Sequence, residues 1–175
     1  MGVSIFKRRL SLVAAALGAA IALVFAMGVL APAGSAAVPT AQAQTTKVAL
    51  VYNGPNYVVN YLNKHKYPTV KTAAISKGKL VLKKGKYGNV KANGKVGSMK
   101  KAKSFKLAKN CKFYKASKKS GGFLTKHISK KAFNKALKSL SKKHGNTKPK
   151  SLGAVSFITN SKGKVTRALY YKQNI

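Results

Sequence analysis

The absence of aspartate and glutamate constrains this chain more than any other feature, because its 36 lysine and arginine residues are not balanced by a single acidic side chain. Globular proteins normally carry charges of both signs. No side-chain salt bridge is therefore available to the fold, and the only carboxylate is the C-terminus of Ile175. Because the molecule contains no anionic side chain of its own, its counter-charges must come from other molecules.

The same composition excludes several classes of enzyme. Glycosidase sites in their usual form need two carboxylic acids, and a Ser-His-Asp triad needs an acid that orients the imidazole. Magnesium and calcium sites rely on carboxylate oxygens. The sequence also contains no G-x-x-x-x-G-K-[ST] phosphate loop and no G-x-G-x-x-G fingerprint. We therefore predict a protein that is not an enzyme and that uses no cofactor and no metal.

The N-terminal segment has the three parts of a secretory signal peptide. Lys7, Arg8 and Arg9 form a positive start, an apolar run covers residues 10–30, and residues 41–43 supply an A-x-A cleavage site. A weaker site lies at residues 35–37, and the apolar run is also long enough to remain as a membrane anchor. Because a polar tail of small residues follows the run, we predict cleavage after residue 43. The organisation is then a signal peptide, 1–43, and a single basic domain, 44–175.

Cys111 is the only cysteine, so the chain forms no internal disulfide, which for an exported protein indicates a bacterial source. The surrounding lysines favour its thiolate, and His65, His127 or His144 would be the partner in a Cys-His nucleophile pair. No local signature supports that pair, and the scattered histidines do not have the spacing of zinc ligands. We interpret Cys111 as a small apolar residue in a strand.

Short apolar segments between glycine and lysine residues predict a set of short β-strands. The chain is predicted to end in an antiparallel hairpin, in which residues 160–163 form the turn. The predicted strands cover residues 47–52, 79–82, 104–107, 112–116, 153–159 and 164–172.

One amphipathic helix is predicted at about residues 129–144. Ser129 is a suitable N-cap and Gly145 a suitable residue beyond the C-terminus, and apolar residues recur between them at helical spacing. Residues 56–64 are predicted as a second, short helix, with a strand as the alternative. The predicted fold class is therefore α+β: a small antiparallel sheet or partly open barrel of short strands, with the helix at about 129–144 packed on it.

Lysines occupy the face of the predicted helix opposite its apolar residues. Like charges at this spacing destabilise a helix by about 0.2–0.5 kcal/mol per pair, so a total absence of acid indicates selection on charge itself. We therefore predict that these lysines bind a polyanion, together with a lysine pair earlier in the chain. The predicted polyanion-binding residues are Lys131, Lys135, Lys138 and Lys142 on the helix, and Lys118 and Lys119 before it.

The identity of the basic residues indicates the kind of partner. Arg167 is the only arginine after residue 43, and lysine is a compact point charge, whereas arginine is the side chain that reads guanine and phosphate bidentately. We expect diffuse attraction to anionic polymers outside a bacterial cell: wall teichoic or lipoteichoic acid, or an acidic glycan. The protein is then secreted and associated with the cell wall, without a specific protein partner.

Two alternatives stay open. Eight tyrosines are interleaved with the lysines, as in proteins that stack bases in a basic groove, so the protein would be an extracellular nucleic-acid binder. A basic amphipathic helix is also typical of membrane-active proteins, which bind anionic lipid headgroups.

Overall fold

The computed structural model describes residues 44–119, 122–145 and 151–174. Within them, β-strands make up most of the chain, and two short helices interrupt their succession. Helix α1 (Asn56–Lys64) lies between the first two strands, and helix α2 (Lys130–Leu140) follows the sixth. The strands are β1 (Thr45–Val51), β2 (Thr69–Ser76), β3 (Lys79–Val90), β4 (Val96–Lys101), β5 (Ser104–Lys119), β6 (Gly122–Ile128), β7 (Ser151–Thr159) and β8 (Val165–Asn174).

All eight strands belong to one mixed sheet in the order β4-β3-β2-β1-β7-β8-β5-β6. The β1–β2 and β5–β8 pairs are parallel, and the remaining pairs are antiparallel. Strand β3 also pairs with β5, where Leu80 lies opposite Phe105. The order β3-β2-β1-β7-β8-β5 therefore returns to β3, and β4 and β6 extend from this circuit.

The predicted α+β fold class is wrong. The described part of the chain is mostly β, with an eight-stranded mixed sheet and two short helices, rather than a small antiparallel sheet with one helix. Strand β2 was not predicted because buried residues occur on both of its faces, so its sequence lacks the alternation of a strand with one solvated face. Parallel pairs are also invisible locally, because they join strands that are far apart in sequence.

Helix α2 packs its apolar side into the larger of two cores. Phe133, Leu137 and Leu140 are buried, and the ring of Phe133 lies 5.0 Å from that of Phe113 and 5.8 Å from that of Tyr170, between centroids. Truncating a buried ring of this kind typically costs about 3–5 kcal/mol. The helix is therefore held mainly by burial against the sheet.

Polar side chains on α2 and just beyond its end accept hydrogen bonds from backbone N–H groups of β2. The backbone N–H of Ile75 donates to Asn134 Oδ1 at 2.7 Å, and that of Ala73 donates to Ser141 Oγ at 2.9 Å. The single O–H of Ser141 is shared between two carbonyl oxygens, that of Leu137 at 2.7 Å and that of Ala73 at 3.1 Å. The helix begins as predicted, since the Ser129 side chain accepts from the Ala132 N–H, but it ends at Leu140, before the predicted end, because Ser141 bonds to β2.

A second core lies where α1 packs on the sheet. Val59 and Leu62 of the helix are buried with Leu50 of β1, Tyr52 just after that strand, and Leu152 of β7. Residues 56–64 are thus a helix rather than a strand. Helix α1 connects the parallel strands β1 and β2, which places its first residues beside the end of β1.

The C-terminal hairpin prediction is confirmed by the antiparallel pairing of β7 with β8. Its turn is closed by hydrogen bonds between Asn160 and Lys164 in both directions, and Gly163 has a φ of 69°. The predicted signal peptide, 1–43, lies outside the described residues. Among the residues the structure does describe, neither helix has the length and apolar character needed to cross a bilayer.

Candidate functional site

Lysine side chains cover the surface of the sheet and of α2. Within residues 44–117, 124–145 and 152–172, every lysine is exposed except Lys47 and Lys71, which are half-buried. Of the predicted polyanion-binding residues, Lys131, Lys135 and Lys138 are exposed on α2, and Lys142 is exposed just beyond its end. The predicted pair at 118 and 119 belongs to the end of β5, and its side chains lie outside the described part of the chain.

Three cross-strand pairs in the sheet place one exposed lysine directly opposite another. Directly opposed residues of antiparallel strands have Cβ atoms about 4.5–5.5 Å apart, and like charges there are destabilising. Opposite charges at such positions stabilise a sheet, whereas here each pair repels. The pairs are Lys86 with Lys101, Lys79 with Lys106, and Lys115 with Lys126.

Lys47 is one of the two half-buried lysines among the described residues. Its ammonium donates a hydrogen bond of 2.8 Å to Thr159 Oγ1. Burial, together with the charges of Lys103 and Lys100, lowers the pKa of Lys47. A side chain held in this way contributes to the packing of β1 against β7 rather than to the binding surface.

Two adjoining pockets at one end of β1 form a groove in which amides accompany the lysines. The pockets have volumes of about 280 Å³ and 480 Å³, and both are lined by Asn56 and Lys71. We call them together the Asn–Lys groove. Among the described residues, its polar lining consists of four asparagines (Asn53, Asn56, Asn60 and Asn63), four lysines (Lys71, Lys84, Lys86 and Lys143) and His144.

Hydrogen bonds fix the groove between α1, β2 and the segment after α2. Lys71 Nζ donates to Asn56 Oδ1 at 2.6 Å, which ties β2 to the first residue of α1. Asn53 Nδ2 donates to the Ser141 carbonyl at 3.0 Å, and the His144 N–H donates to the Asn53 carbonyl at 2.7 Å. These contacts bring elements from distant parts of the sequence together around one depression.

The far wall of the groove contains unusual backbone geometry. Lys84 has a φ of 56° and Gly85 a φ of 153°. A Cβ atom on Gly85 would overlap the carbonyl oxygen of Thr69 and lie 2.9 Å from Val70 Cα. Strained backbone persists only where the surrounding structure enforces it, and it is concentrated at functional sites. Here it places Lys84 and Lys86 in the lining of the groove.

The sequence analysis did not predict the Asn–Lys groove, although one part of the groove has a recognisable sequence pattern. Asn56, Asn60 and Asn63 recur at positions i, i+4 and i+7, so they share one face of α1. An asparagine stripe on a helix is unusual, because asparagine is a weak helix former. The remaining residues come from β2, β3 and the segment after α2, and only the fold brings them to this stripe.

Cys111 lines a separate pocket, together with His127. Its sulfur is partly buried against the larger core. Burial raises the pKa of the Cys111 thiol to about 11, although Lys130 acts in the opposite direction. The expectation that surrounding lysines favour the thiolate is therefore not met, because desolvation outweighs their charge.

We accordingly expect Cys111 to resist alkylation near neutral pH. Raising the thiol pKa from 9.0 to about 11 lowers the thiolate fraction about 100-fold. The rate of modification by iodoacetamide at pH 8, followed by mass spectrometry, should be lower than that of free cysteine by about this factor, and denaturant should restore it. A native rate equal to the denatured rate would contradict the burial that the structure shows.

The three histidines lie apart and pack on tyrosine rings. The ring centroid of His65 lies 4.2 Å from that of Tyr61, and His144 stacks on Tyr52 at 5.9 Å. His127 meets the ring of Tyr114 at 5.6 Å. Within the described ranges, no three or more histidine, cysteine or acidic side chains are grouped so as to hold a metal ion.

The chain matches no protein-family model, no curated protein and no solved structure. The candidate sites therefore depend on the geometry and chemistry of this molecule alone.

Proposed function

We propose that the protein is an exported, non-enzymatic polycation that binds anionic polymers of the bacterial cell surface, namely wall teichoic acid, lipoteichoic acid or an acidic glycan. The lysine-covered sheet and α2 supply its binding surface. Retention of the protein at the cell wall would follow from electrostatic attraction, without a specific protein partner.

The opposed lysine pairs on the sheet are the observation that carries this proposal. Lys86–Lys101, Lys79–Lys106 and Lys115–Lys126 each place like charges at directly facing positions. One glutamate in each pair would turn repulsion into attraction at little structural cost. A surface that keeps repulsive pairs instead is best explained by a benefit of positive charge outside the fold itself.

A membrane-active role is less well supported, because the apolar face of α2 is already occupied. Phe133 and Leu137 have no exposed surface, and Leu140 is 3% exposed. Insertion into a bilayer would have to remove these side chains from the core, with the cost of exposing the sheet they cover.

A nucleic-acid role is also less well supported by the tyrosines. Tyr52, Tyr87 and Tyr171 are buried, so they offer no face on which a base can stack. Tyr57, which is 69% exposed, does not line the Asn–Lys groove. Binding of nucleic acid is the second candidate function, and it predicts that the protein prefers single-stranded DNA to polymers without bases.

The proposal is tested by the salt dependence of binding to isolated cell walls. Binding to walls that carry teichoic acid should be strong at about 50 mM NaCl and should weaken linearly on a log–log scale as salt rises. Walls stripped of their anionic polymer provide the matched control and should retain little protein. Equal retention by both kinds of wall, or binding that is unchanged at about 500 mM NaCl, would refute the proposal.

A further inference from the structure

We propose that the Asn–Lys groove is the site that takes one segment of the polymer, and that this polymer carries hydroxyl groups beside its anionic groups, as an acidic polysaccharide or a polyol phosphate does. This inference rests on the proposed function and narrows it. Diffuse charge attracts the polymer anywhere on the surface, whereas the groove recognises its chemistry.

The groove combines two kinds of polar side chain that bind different groups. A lysine ammonium only donates hydrogen bonds, so Lys71, Lys84 and Lys86 suit anionic oxygens. An asparagine amide both donates and accepts, and a hydroxyl group does the same. Asn56 and Asn60, which are exposed on α1 beside these lysines, are therefore matched to the hydroxyls of a sugar or polyol.

The groove is held in shape before any ligand arrives. Val59 and Leu62 anchor α1 in the second core, and Asn63 is fixed by a hydrogen bond from its Nδ2 to the Val59 carbonyl at 2.9 Å. On the other side, Gly85 packs its backbone against Thr69. A site fixed by packing loses little conformational entropy on binding, which favours affinity at a given number of contacts.

The form of the groove suits a polymer segment. The two pockets meet at Asn56 and Lys71, and one continues toward Lys143 while the other continues toward Lys86. Each has the volume of a site for a small ligand. Because they adjoin, a chain can lie across both with anionic groups near the lysines at either end.

The lining disfavours nucleic acid as the occupant. Single-stranded nucleic acids are held by aromatic rings on which bases stack. Of the described residues that line the two pockets, His144 alone has an aromatic ring, and that ring stacks on Tyr52. The groove thus offers hydrogen bonds to hydroxyls and charge to anions, without a stacking platform.

The test compares two variants from which the same charge is removed. In one, Lys71→Gln and Lys86→Gln alter the groove; in the other, Lys162→Gln and Lys164→Gln alter exposed positions in the β7–β8 turn. That turn follows Thr159, which pairs with Thr45 at the opposite end of β1 from the groove. Both variants lose the same diffuse attraction, so any additional loss in the first measures the groove.

Four polymers of known chemistry serve as probes for the full chain at one salt concentration. Polygalacturonate carries carboxylates and hydroxyls, and poly(glycerol phosphate) carries phosphates and the hydroxyls of glycerol. Inorganic polyphosphate carries phosphates without such hydroxyls. Single-stranded DNA carries bases. We expect the groove variant to bind the first two polymers about tenfold more weakly than the turn variant. Both variants should unfold cooperatively with melting temperatures within about 5 °C of the wild type, since Lys86→Gln relieves the repulsion from Lys101 while Lys71→Gln removes the bond to Asn56. The comparison of carboxylate with phosphate polymers identifies the source of the anion.

The variant Asn60→Ala tests recognition of hydroxyl groups separately. It removes an exposed amide from α1 without changing charge. Its affinity for the polymer with hydroxyls should fall by about threefold or more, while its affinity for polyphosphate should change less than twofold.

The possible outcomes distinguish failure of the groove assignment from failure of the proposed function. If the wild type binds anionic polymers and the two lysine variants lose affinity equally, the groove is not the binding site. The proposed function would still hold. Wild-type binding to none of the polymers would overturn the proposed function itself. Preference for DNA, or an equal effect of Asn60→Ala on polyphosphate, would overturn the assignment to a hydroxyl-bearing polymer.

Discussion

Replacing Gly85 with alanine should lower the free energy of unfolding by about 3 kcal/mol or more. The new Cβ atom would overlap the carbonyl oxygen of Thr69, which is backbone and cannot turn aside as a flexible side chain can. The φ of 153° at this position also lies in a region that L-residues rarely adopt. To avoid this overlap, β3 would have to move away from β2, in which Val70 pairs with residue 85.

Gly78→Ala provides the matched control for this variant. Gly78 also has a positive φ, of 69°, but no other atom lies within 4 Å of the position where its Cβ would stand. It should therefore lose only about 1 kcal/mol, through backbone strain alone. Urea unfolding followed by circular dichroism measures both. Equal losses of unfolding free energy in the two variants would show that the close approach of Gly85 to Thr69 does not affect stability.

Raising the ionic strength should stabilise the protein at neutral pH. The three opposed lysine pairs cost about 0.2–1 kcal/mol each, or about 0.6–3 kcal/mol together, and salt screens repulsion between exposed charges. We expect the melting temperature to rise by about 5 °C or more between about 20 mM and 500 mM NaCl. The usual screening of favourable ion pairs does not oppose this rise, because no acidic side chain exists to form them.

The variant Lys126→Glu isolates one of these pairs. It places a carboxylate opposite Lys115 across β5 and β6, so it should be more stable than the wild type at low salt. Its advantage should shrink as NaCl is added, because the new attraction and the old repulsion are both screened. Calorimetry over a salt series measures both effects, and a wild-type midpoint that falls with salt would contradict the repulsive surface.

Local patterns in the sequence predict the start of α2 and the C-terminal hairpin correctly. The spacing of Phe133, Leu137 and Leu140 after Ser129 identifies α2, and the turn at residues 160–163 identifies the hairpin. Both depend on contacts between near neighbours. The end of α2 depends instead on Ser141 reaching β2, and no pattern near Ser141 reports a strand 68 residues earlier.

The candidate site likewise has one part that the sequence predicts and one part that it does not. Exposed lysines were predictable from composition, because a chain with this much positive charge must place it at the surface. The Asn–Lys groove was not predictable, since Lys71, Lys84 and His144 meet α1 only through the parallel pairing of β1 with β2 and the bend at Gly85. Its asparagine stripe on α1 is the part with a recognisable periodicity in the sequence.

The two outermost strands of the sheet, β4 and β6, carry lysine at Lys100, Lys101 and Lys126. Unpaired strand edges invite other copies to add on, and lysine at an edge keeps them away through mutual repulsion. Under the proposed function, the ammonium groups that would bind a polymer are also those that keep free molecules dispersed. Neutralisation by a polymer would remove this protection from neighbouring molecules, so attachment and crowding would be coupled through one set of side chains.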